Sequence, residues 1–296
     1  MKKKTKMVKH ILESLPYIEK FREKIFVVKF GGSLLEQKGL LDKFIRDITL
    51  LIHLNIKIII VHGGGKHISK RLDKLNIKSD FKKGMRITSD KAMKEVEMVL
   101  SGYLNKKFVQ CFVNENIAAI GLSGKDGGLI KAKKLKSNNK VDLKNVGKIV
   151  NIDNKIINLL IDNKYLPIVS SIGYDDFGNT YNINADKVAS KLAISVKAEK
   201  LIYLSDVKGI YSDFENRKKF ISQLSISEAK KMIDNKLLKG GMIPKVNSCI
   251  DSINKGVNSV HMINGKIDHS VLLEIFTNKG IGTMIKGDNY DNNENV

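Results

Sequence analysis

Residues Ile56–Val61 read Ile-Lys-Ile-Ile-Ile-Val, with a helix-like segment before them and a glycine triplet after them. A β-branched run of this kind belongs to a strand buried on both faces, the strand type of parallel sheets covered by helices. The rest of the chain repeats the style. Ile25–Phe30, Ile117–Leu122, Pro167–Ile172, Lys200–Leu204, Val257–Ile263 and Ile281–Ile285 have strand length. Leu40–Asn55, Lys66–Leu75, Asp90–Val113, Lys155–Asn163, Ala185–Val196, Ser225–Leu238, Pro244–Asn254 and Ser270–Phe276 read as helices. Strand–helix alternation predicts an α/β fold, an open and mainly parallel sheet between helices, with ligands beyond the carboxyl ends of the strands.

Local signals refine this outline. The Asp90–Val113 helix is expected to carry Ala92, Val96, Val99, Leu100, Tyr103 and Leu104 on one side. Leu129–Asn151 reads as short hairpins. Ser225-x-x-Glu228 is a capping box, and its helix is expected to close at Gly240-Gly241, while Pro244 suits a first helical turn. Residues 5–24 form an amphipathic helix outside the main pattern, with Val8, Ile11, Leu12, Leu15, Ile18 and Phe21 in a stripe. Pro16 is expected to kink or divide it. Residues 287–296 read as a loose tail.

The 296 residues suit one large domain or two small ones. At 42% hydrophobic and 28% charged residues, the composition excludes wholesale disorder and a fibrous chain. No apolar stretch approaches the roughly 18–20 residues of a membrane span. The net charge of +21 fits nucleic acid, an anionic membrane surface or anionic small substrates. Its lysines are spread along the chain beside abundant Ile and Asn, as an AT-rich coding sequence gives, and not gathered in a basic tract. Basic–aromatic interleaving is lacking and aromatics are 6%, so neither specific nucleic-acid binding nor a membrane is expected. Cys111 and Cys249 lie far apart and suit a reducing compartment. No apolar core follows Met1-Lys2-Lys3-Lys4, so a secretory signal is not expected.

The chemistry gathers at strand ends. The first strand runs into Lys29-Phe30-Gly31-Gly32-Ser33 and the second into His62-Gly63-Gly64-Gly65-Lys66. Glycine lets a backbone approach a ligand closely, and the helix that follows offers free N–H groups to an anion. The chain has no P-loop, no G-x-G-x-x-G after its first strand, no H-E-x-x-H and no G-x-S-x-G. Gly84-Met85-Arg86-Ile87-Thr88 sets a guanidinium before the long helix, either as a fork for a carboxylate or phosphate or as half of a surface ion pair. Asn182-Ile183-Asn184-Ala185-Asp186 sets two amides and a carboxylate at a helix start, where ordinary N-capping is the simpler account. Leu204-Ser205-Asp206-Val207-Lys208-Gly209-Ile210-Tyr211 closes a strand, and Lys239-Gly240-Gly241-Met242-Ile243-Pro244-Lys245-Val246 sets a lysine near a helix start, where an anion would balance it. Phosphoryl transfer needs this inventory, because its catalysis is mostly positioning and charge stabilisation.

The ordered set V-K-F-G-G-S, V-H-G-G-G-K, G-M-R-I-T, V-S-S-I-G, N-I-N-A-D, L-S-D-V-K-G-I-Y and G-G-M-I-P-K-V resembles the N-acetylglutamate kinases of the amino acid kinase family, over about residues 8–286. The resemblance implies a three-layer αβα sandwich of carbamate kinase-like type. It divides the chain into an N-terminal helical extension (1–24), an acyl-amino-acid lobe (about 25–172) and a nucleotide lobe (about 173–286). It implies that Lys29 and Lys245 neutralise the phosphoryl group in flight and that Asp186 holds both lysines. Gly31 and Gly32 would lie against the transferring phosphate. Gly64, Gly65, Arg86 and Asn182 would hold N-acetyl-L-glutamate, with Arg86 on its α-carboxylate. Asp206, Val207, Lys208, Gly209, Ile210, Tyr211, Leu237, Leu238 and Lys239 would cradle ATP, which enters with Mg²⁺ as co-substrate; no protein-ligated metal is implied.

Family members inhibited by arginine carry an extra N-terminal helix similar to Lys9–Lys24 with its Leu15-Pro16-Tyr17-Ile18 core, and swapped helices join three of their dimers into a hexamer. By that pattern His261, Glu274 and Gly280 form an L-arginine site, and a carboxylate suits a guanidinium. Phe30 stands where such members often have Tyr. Some relatives accept the PII signalling protein as a partner. A cytoplasmic location, or the plastid stroma for a plastid-encoded chain, fits the composition. Aspartate kinases usually add regulatory domains for which this chain has no room, and uridylate kinases lack the N-terminal helix. An acetylaminoadipate kinase differs by one methylene in its substrate, worth only about 1–3 kcal/mol in a pocket. An arginine sensor on an inactive scaffold is opposed by retention of Lys29, Asp186 and Lys245.

Overall fold

The computed structural model describes residues 2–32, 34–37, 39–82, 84–136, 142–213, 218–238, 241–277 and 280–289. Helix α1 (Lys2–Phe21) leads into β1 (Ile25–Phe30), followed by α2 (Leu40–His53), β2 (Lys57–His62) and α3 (Gly65–Lys74). A small hairpin, β3 (Phe81–Lys82) and β4 (Met85–Arg86), precedes α4 (Asp90–Glu97). A π-helical segment, Met98–Leu104, joins α4 to α5 (Asn105–Asn114). The middle of the chain holds β5 (Ala119–Leu122), β6 (Ile130–Lys134), β7 (Gly147–Ile152), α6 (Lys155–Asp162), β8 (Leu166–Ser170), β9 (Ile172–Tyr174), β10 (Thr180–Asn182) and α7 (Ala185–Ser195). The last third holds β11 (Lys200–Ser205), β12 (Ile210–Asp213), β13 (Lys218–Ile221), β14 (Gln223–Ser225), α8 (Ile226–Asp234), α9 (Met242–Asn254), β15 (Ser259–Asn264), α10 (Ser270–Ile275) and β16 (Thr283–Lys286).

Eight strands form one sheet in the order β14-β16-β15-β11-β1-β2-β8-β5. Every neighbouring pair is parallel except β15 with β16. The expected mainly parallel sheet is found, and its central strands are buried on both faces. Phe26, Val28, Phe30, Ile58 and Ile60 enter one core, while their alternate neighbours Val27, Ile59 and Val61 enter the other. The first core is closed by residues of α1 to α5 and α10, the second by residues of α6 to α9. Each fully buried aliphatic or Phe side chain contributes about 1.5–3 kcal/mol, which is why an uninterrupted apolar strand settles in the middle layer. The order also contains a reversal. The chain steps from β1 to β2 and outward on one side, then returns to lay β11 on the other side of β1. The crevice at the carboxyl ends of β1 and β11 is the topological switch point, where α/β sheets bind ligands.

Several local expectations are corrected. Helix α1 runs unbroken through Pro16, although proline removes the bond to the carbonyl four residues back. That carbonyl belongs to Leu12, 57% exposed, so water can take the place of the missing donor. Tyr103 is 61% exposed while Ala92, Val96, Val99, Leu100 and Leu104 are buried. The wider π turn shifts the phase of the apolar stripe there. Helix α8 stops at Asp234, short of the expected Gly pair. Lys236 takes the left-handed conformation at φ 55°, its N–H donates to Ile233 O, and Leu237 N–H donates to Met232 O, a Schellman ending without glycine.

The hairpin expected in 129–151 is β6 with β7, and it joins β9 and β10 in a four-stranded second sheet. The β9–β10 and β12–β13 hairpins were not foreseen, since strands of three or four residues carry too little alternation to read. Of the expected tail, residues 290–296 lie outside the described residues. The capping box is complete. Ser225 Oγ accepts from Glu228 N–H at 3.2 Å and Glu228 Oε2 accepts from Ser225 N–H at 2.7 Å. Ser225→Ala is therefore expected to cost about 1 kcal/mol, read as a lower urea midpoint at unchanged m-value.

Candidate active site

Lys29 is the penultimate residue of β1, at the switch point, and pairs across the sheet with Tyr203 of β11. Its Nζ lies 2.8 Å from Asp186 Oδ1. Asp186 sits in the first turn of α7, whose start is capped by Asn184: the Asn184 side-chain oxygen accepts from the N–H groups of Asp186 and Lys187. The capping account of this motif therefore holds for Asn184, while Asp186 is left to face the lysines. Asp186 Oδ1 has no well-directed hydrogen bond, so the Lys29 contact is chiefly ionic. Burial pushes the Asp186 carboxyl up, but the charges of Lys29 and Lys245 outweigh it and hold the group below the usual carboxylate range. Tyr203 donates its hydroxyl to the Asp186 carbonyl at 3.1 Å, and its ring carries Lys245 Nζ 5.5 Å from the centroid. Helix α9, which bears Lys245, begins at Gly241 with no side-chain cap and no acidic residue in its first turn. An uncapped helix N-terminus carries positive partial charge, so it and the lysine present the same sign of charge on this side.

Beside this triad lies a cleft of about 210 Å³, lined among others by Lys29, Gly32, Gly64, Gly65, Arg86 and Asn182. Three of the glycines here lie in close contacts, whereas a Cβ on Gly65 would meet nothing within 4 Å. A Cβ on Gly31 would stand 2.8 Å from the Leu204 carbonyl oxygen, and one on Gly64 would stand 2.3 Å from Leu104 Cδ1. One on Gly32 would meet Gly64 Cα and Gly65 N at 3.3 Å, so the two glycine turns face each other. Helix α3 starts at Gly64, again without a side-chain cap.

Arg86 is 7% exposed. Its guanidinium donates to Gly65 O at 3.0 Å, to Ser69 Oγ at 2.6 Å and to Ser79 Oγ at 3.2 Å, and it lies over the Phe81 ring at 4.4 Å. No carboxylate is among these partners. The surface ion pair that its motif allowed is thus not the arrangement found. Burial pulls its pKa down, and Asp73, acting at a distance, restores only part. Among the described residues its hydrogen-bond partners are all neutral, so a buried cation here lacks a directly paired counter-charge. Asn182 donates to Thr88 Oγ1 at 3.2 Å on the same wall.

Asp206–Tyr211 follows β11 directly, at the carboxyl end beside β1. Gly209 is packed against Thr283, and Ile210 N–H donates to Thr283 Oγ1 at 2.8 Å. Lys208 Nζ lies 4.4 Å from the Phe220 ring centroid, and Tyr211 meets the same ring edge-on. Val207 and Leu237 are exposed, whereas Ile210 and Leu238 are buried in the core and serve as support. Lys239 lies outside the described residues.

A second cluster gathers away from the cleft. His261 Nδ1 is 2.7 Å from Glu274 Oε1, both buried. Glu274 Oε2 accepts from Ile281 N–H at 2.7 Å and Gly282 N–H at 2.8 Å. Gly280, at φ 57°, packs so closely that a Cβ would stand 2.6 Å from the same oxygen. Burial raises the Glu274 carboxyl, but His261 and the two N–H groups hold it below its usual range. Sequence reasoning missed Lys200 here. Its Nζ is 3.2 Å from His261 Nε2 and 4.7 Å from the Phe21 ring centroid of α1. Burial lowers its pKa to about 8. The one signal was a lysine opening an otherwise apolar strand. Ser69, Ser79 and Phe81, which hold Arg86, were missed as well, and no local pattern marks them.

The model of the amino acid kinase family matches residues 24–264. The acetylglutamate kinase of Halothermothrix orenii is 47% identical over 276 residues, covering 93% of this chain and 95% of that protein. Among solved structures, N-acetylglutamate synthase from Neisseria gonorrhoeae with coenzyme A and N-acetyl-glutamate has a TM-score of 0.85 at 25% identity, covering 95% of this chain. The same synthase with coenzyme A and L-arginine has a TM-score of 0.80, also at 25% identity and 95% of this chain. The present chain spans only 63–65% of the synthase's length. The carbamate kinase of Giardia shares the fold, with a TM-score of 0.65 at 17% identity over 90% of this chain and 99% of that one.

Proposed function

Because the chain belongs to the amino acid kinase family and is a kinase, we propose that it transfers the γ-phosphoryl group of MgATP to the γ-carboxylate of N-acetyl-L-glutamate. The products are N-acetylglutamyl 5-phosphate and ADP, an early step of arginine biosynthesis. The observation that carries this reading is the ion pair of Lys29 with Asp186, on which the charge of Lys245 also acts, beside a cleft lined by Arg86. The near full-length likeness to the H. orenii acetylglutamate kinase supports the choice of acceptor.

In this reading Arg86 pairs with the α-carboxylate of the acceptor, and Gly64, Gly65 and Asn182 hold the rest of it. Residues 25–172 form the acceptor lobe and 173–286 the nucleotide lobe. Asp206–Tyr211 and Leu237–Lys239 cradle the nucleotide, and Gly31 and Gly32 let the β1 turn lie against the phosphoryl group. The γ-carboxylate attacks phosphorus in line as the bond to the ADP oxygen breaks. No general base is needed, because a carboxylate is already ionised at pH 7. Lys29 and Lys245 oppose the negative charge on the group in flight, and Asp186 keeps both ammonium groups in place.

The second cluster is the arginine site of this reading. Glu274 would receive the guanidinium, with His261 and Gly280 beside it, and the chain would work as a dimer or hexamer through α1. A PII-type protein is a further candidate partner. The test is an ATP-dependent hydroxamate assay, since hydroxylamine traps an acyl phosphate, with N-acetylglutamate, N-acetylaminoadipate and aspartate offered separately. Signal with N-acetylglutamate alone is expected. Signal with another acid keeps the reaction and changes the acceptor, and none from folded protein that binds MgATP rejects the reading. Adding L-arginine to the active assay is expected to inhibit it, and Glu274→Gln to relieve that inhibition by at least tenfold in arginine concentration.

A further inference from the structure

The Gly63-Gly64-Gly65 turn brings backbone donors to the cleft, and three glycines cannot hold their own peptide planes in one orientation. His62, the last residue of β2, is fully buried, with its ring centroid 5.2 Å from that of Phe108. Its Nδ1 lies 3.2 Å from the Gly63 carbonyl oxygen. A carbonyl only accepts, so Nδ1 carries the hydrogen. Nε2 is then bare, and Asn105 Nδ2, 3.2 Å away, donates to it. The same Nδ2 donates to the Ile168 carbonyl at 2.8 Å, and Asn105 Oδ1 accepts from Lys106 Nζ at 3.3 Å, which sets the amide the right way round. A single tautomer, neutral with hydrogen on Nδ1, satisfies every contact.

We propose that His62 is a positioning residue for phosphoryl transfer: its Nδ1–H holds the Gly63 carbonyl and thereby aims the Gly64 N–H at the transfer site, while Asn105 fixes the tautomer. This rests on the functional reading above. The reason is peptide planarity. The oxygen of Gly63 and the N–H of Gly64 point to opposite sides of the bond between them. A carbonyl turned toward the imidazole therefore turns the Gly64 N–H away from it. A Cβ on Gly32 would lie 3.4 Å from Gly64 N and 3.3 Å from Gly65 N, so these nitrogens lie against the opposing glycine turn. The long helix supports the same turn twice, with Leu100 and Leu104 against Gly64 and Asn105 on His62.

The first measurement is a long-range ¹H–¹⁵N correlation on wild-type protein labelled at histidine, with His62 assigned by its loss in His62→Asn. The neutral Nδ1–H form is expected at pH 7, and the Nε2–H form or an imidazolium overturns the proposal. It needs no substrate, so it stands apart from the hydroxamate result. In the kinase assay His62→Leu is expected to lower kcat by about 10²-fold with KM for MgATP within about threefold, as for loss of one aimed donor. His62→Asn sets an amide nitrogen where Nδ1 was and is expected to recover at least tenfold of that loss. Equal kcat in the folded Leu and Asn variants overturns the proposal. If His62→Leu does not fold, Asn105→Leu decides: a mixed tautomer with kcat lowered about tenfold supports it, and an unchanged tautomer with unchanged kcat overturns it.

Discussion

Lys29→Ala lowers kcat by about 10²–10³-fold while KM for both substrates changes little; this is the largest kinetic effect expected of a single change. The lysine is held at the end of a buried strand, its side chain 14% exposed and 2.8 Å from Asp186. In the proposed reaction it would need no reorganisation when charge builds on the transferring group, and in a half-dry site its field is weakly screened. An interaction made mainly in the transition state lowers kcat and kcat/KM together. The variant also frees the Asp186 carboxylate, which then repels the phosphoryl oxygens. Lys245 also acts on the Asp186 carboxylate and, in the proposed reaction, would oppose the same phosphoryl charge, so a Lys29→Ala/Lys245→Ala variant is expected to fall short of the product of the two losses. Steady-state kinetics beside a circular-dichroism melt check this, and near-normal turnover in folded Lys29→Ala removes the lysine from the mechanism.

The second large effect is on stability in acid. Burial lowers the His62 pKa from 6.5 to about 4, and His261 is lowered as well, first by burial and then by Lys200. A histidine with a folded pKa below its unfolded value contributes stability that is present above 6.5 and lost as pH falls toward the folded value, because only the unfolded chain takes up the proton. For His62 the loss is about 1.4 kcal/mol per pH unit, roughly 3 kcal/mol in full. Glu274 and Asp186, both held below the usual carboxylate range, extend the loss at still lower pH. Urea unfolding is therefore expected to show stability falling steadily between pH 6.5 and 4, with His62→Asn reducing the slope by about one proton. Stability unchanged across that window would mean that His62 is protonated in the folded state.

Much of the frame was legible because it is written at short range. Strand β2 announced itself through a β-branched run, since burial on both faces tolerates little else. The Gly turns were visible because close backbone approach excludes side chains, and α8 showed its start because capping spans three residues. Asp186, Lys29 and Lys245 entered through a resemblance, and their neighbourhood belongs to the tertiary structure. Lys29 and Asp186 are far apart in sequence and meet because β11 pairs beside β1 and α7 packs over that seam.

Other features had no local mark. The partners of Arg86 come from α3 and from the loop before β3, at separations of 7 to 21 residues that follow no periodic pattern. The charge of Lys200 faces His261 through strand pairing across 61 residues. The His62 tautomer is set by a helix that begins 43 positions later. By itself the sequence determined the kind of layers, the ends of the elements and the places where backbone would be bare, because periodicity, caps and glycine act within a few residues. The tertiary structure alone decided the strand order, the site of the reversal and which charges are buried together. Those depend on how two cores share one sheet, a condition on the whole chain that no short stretch contains.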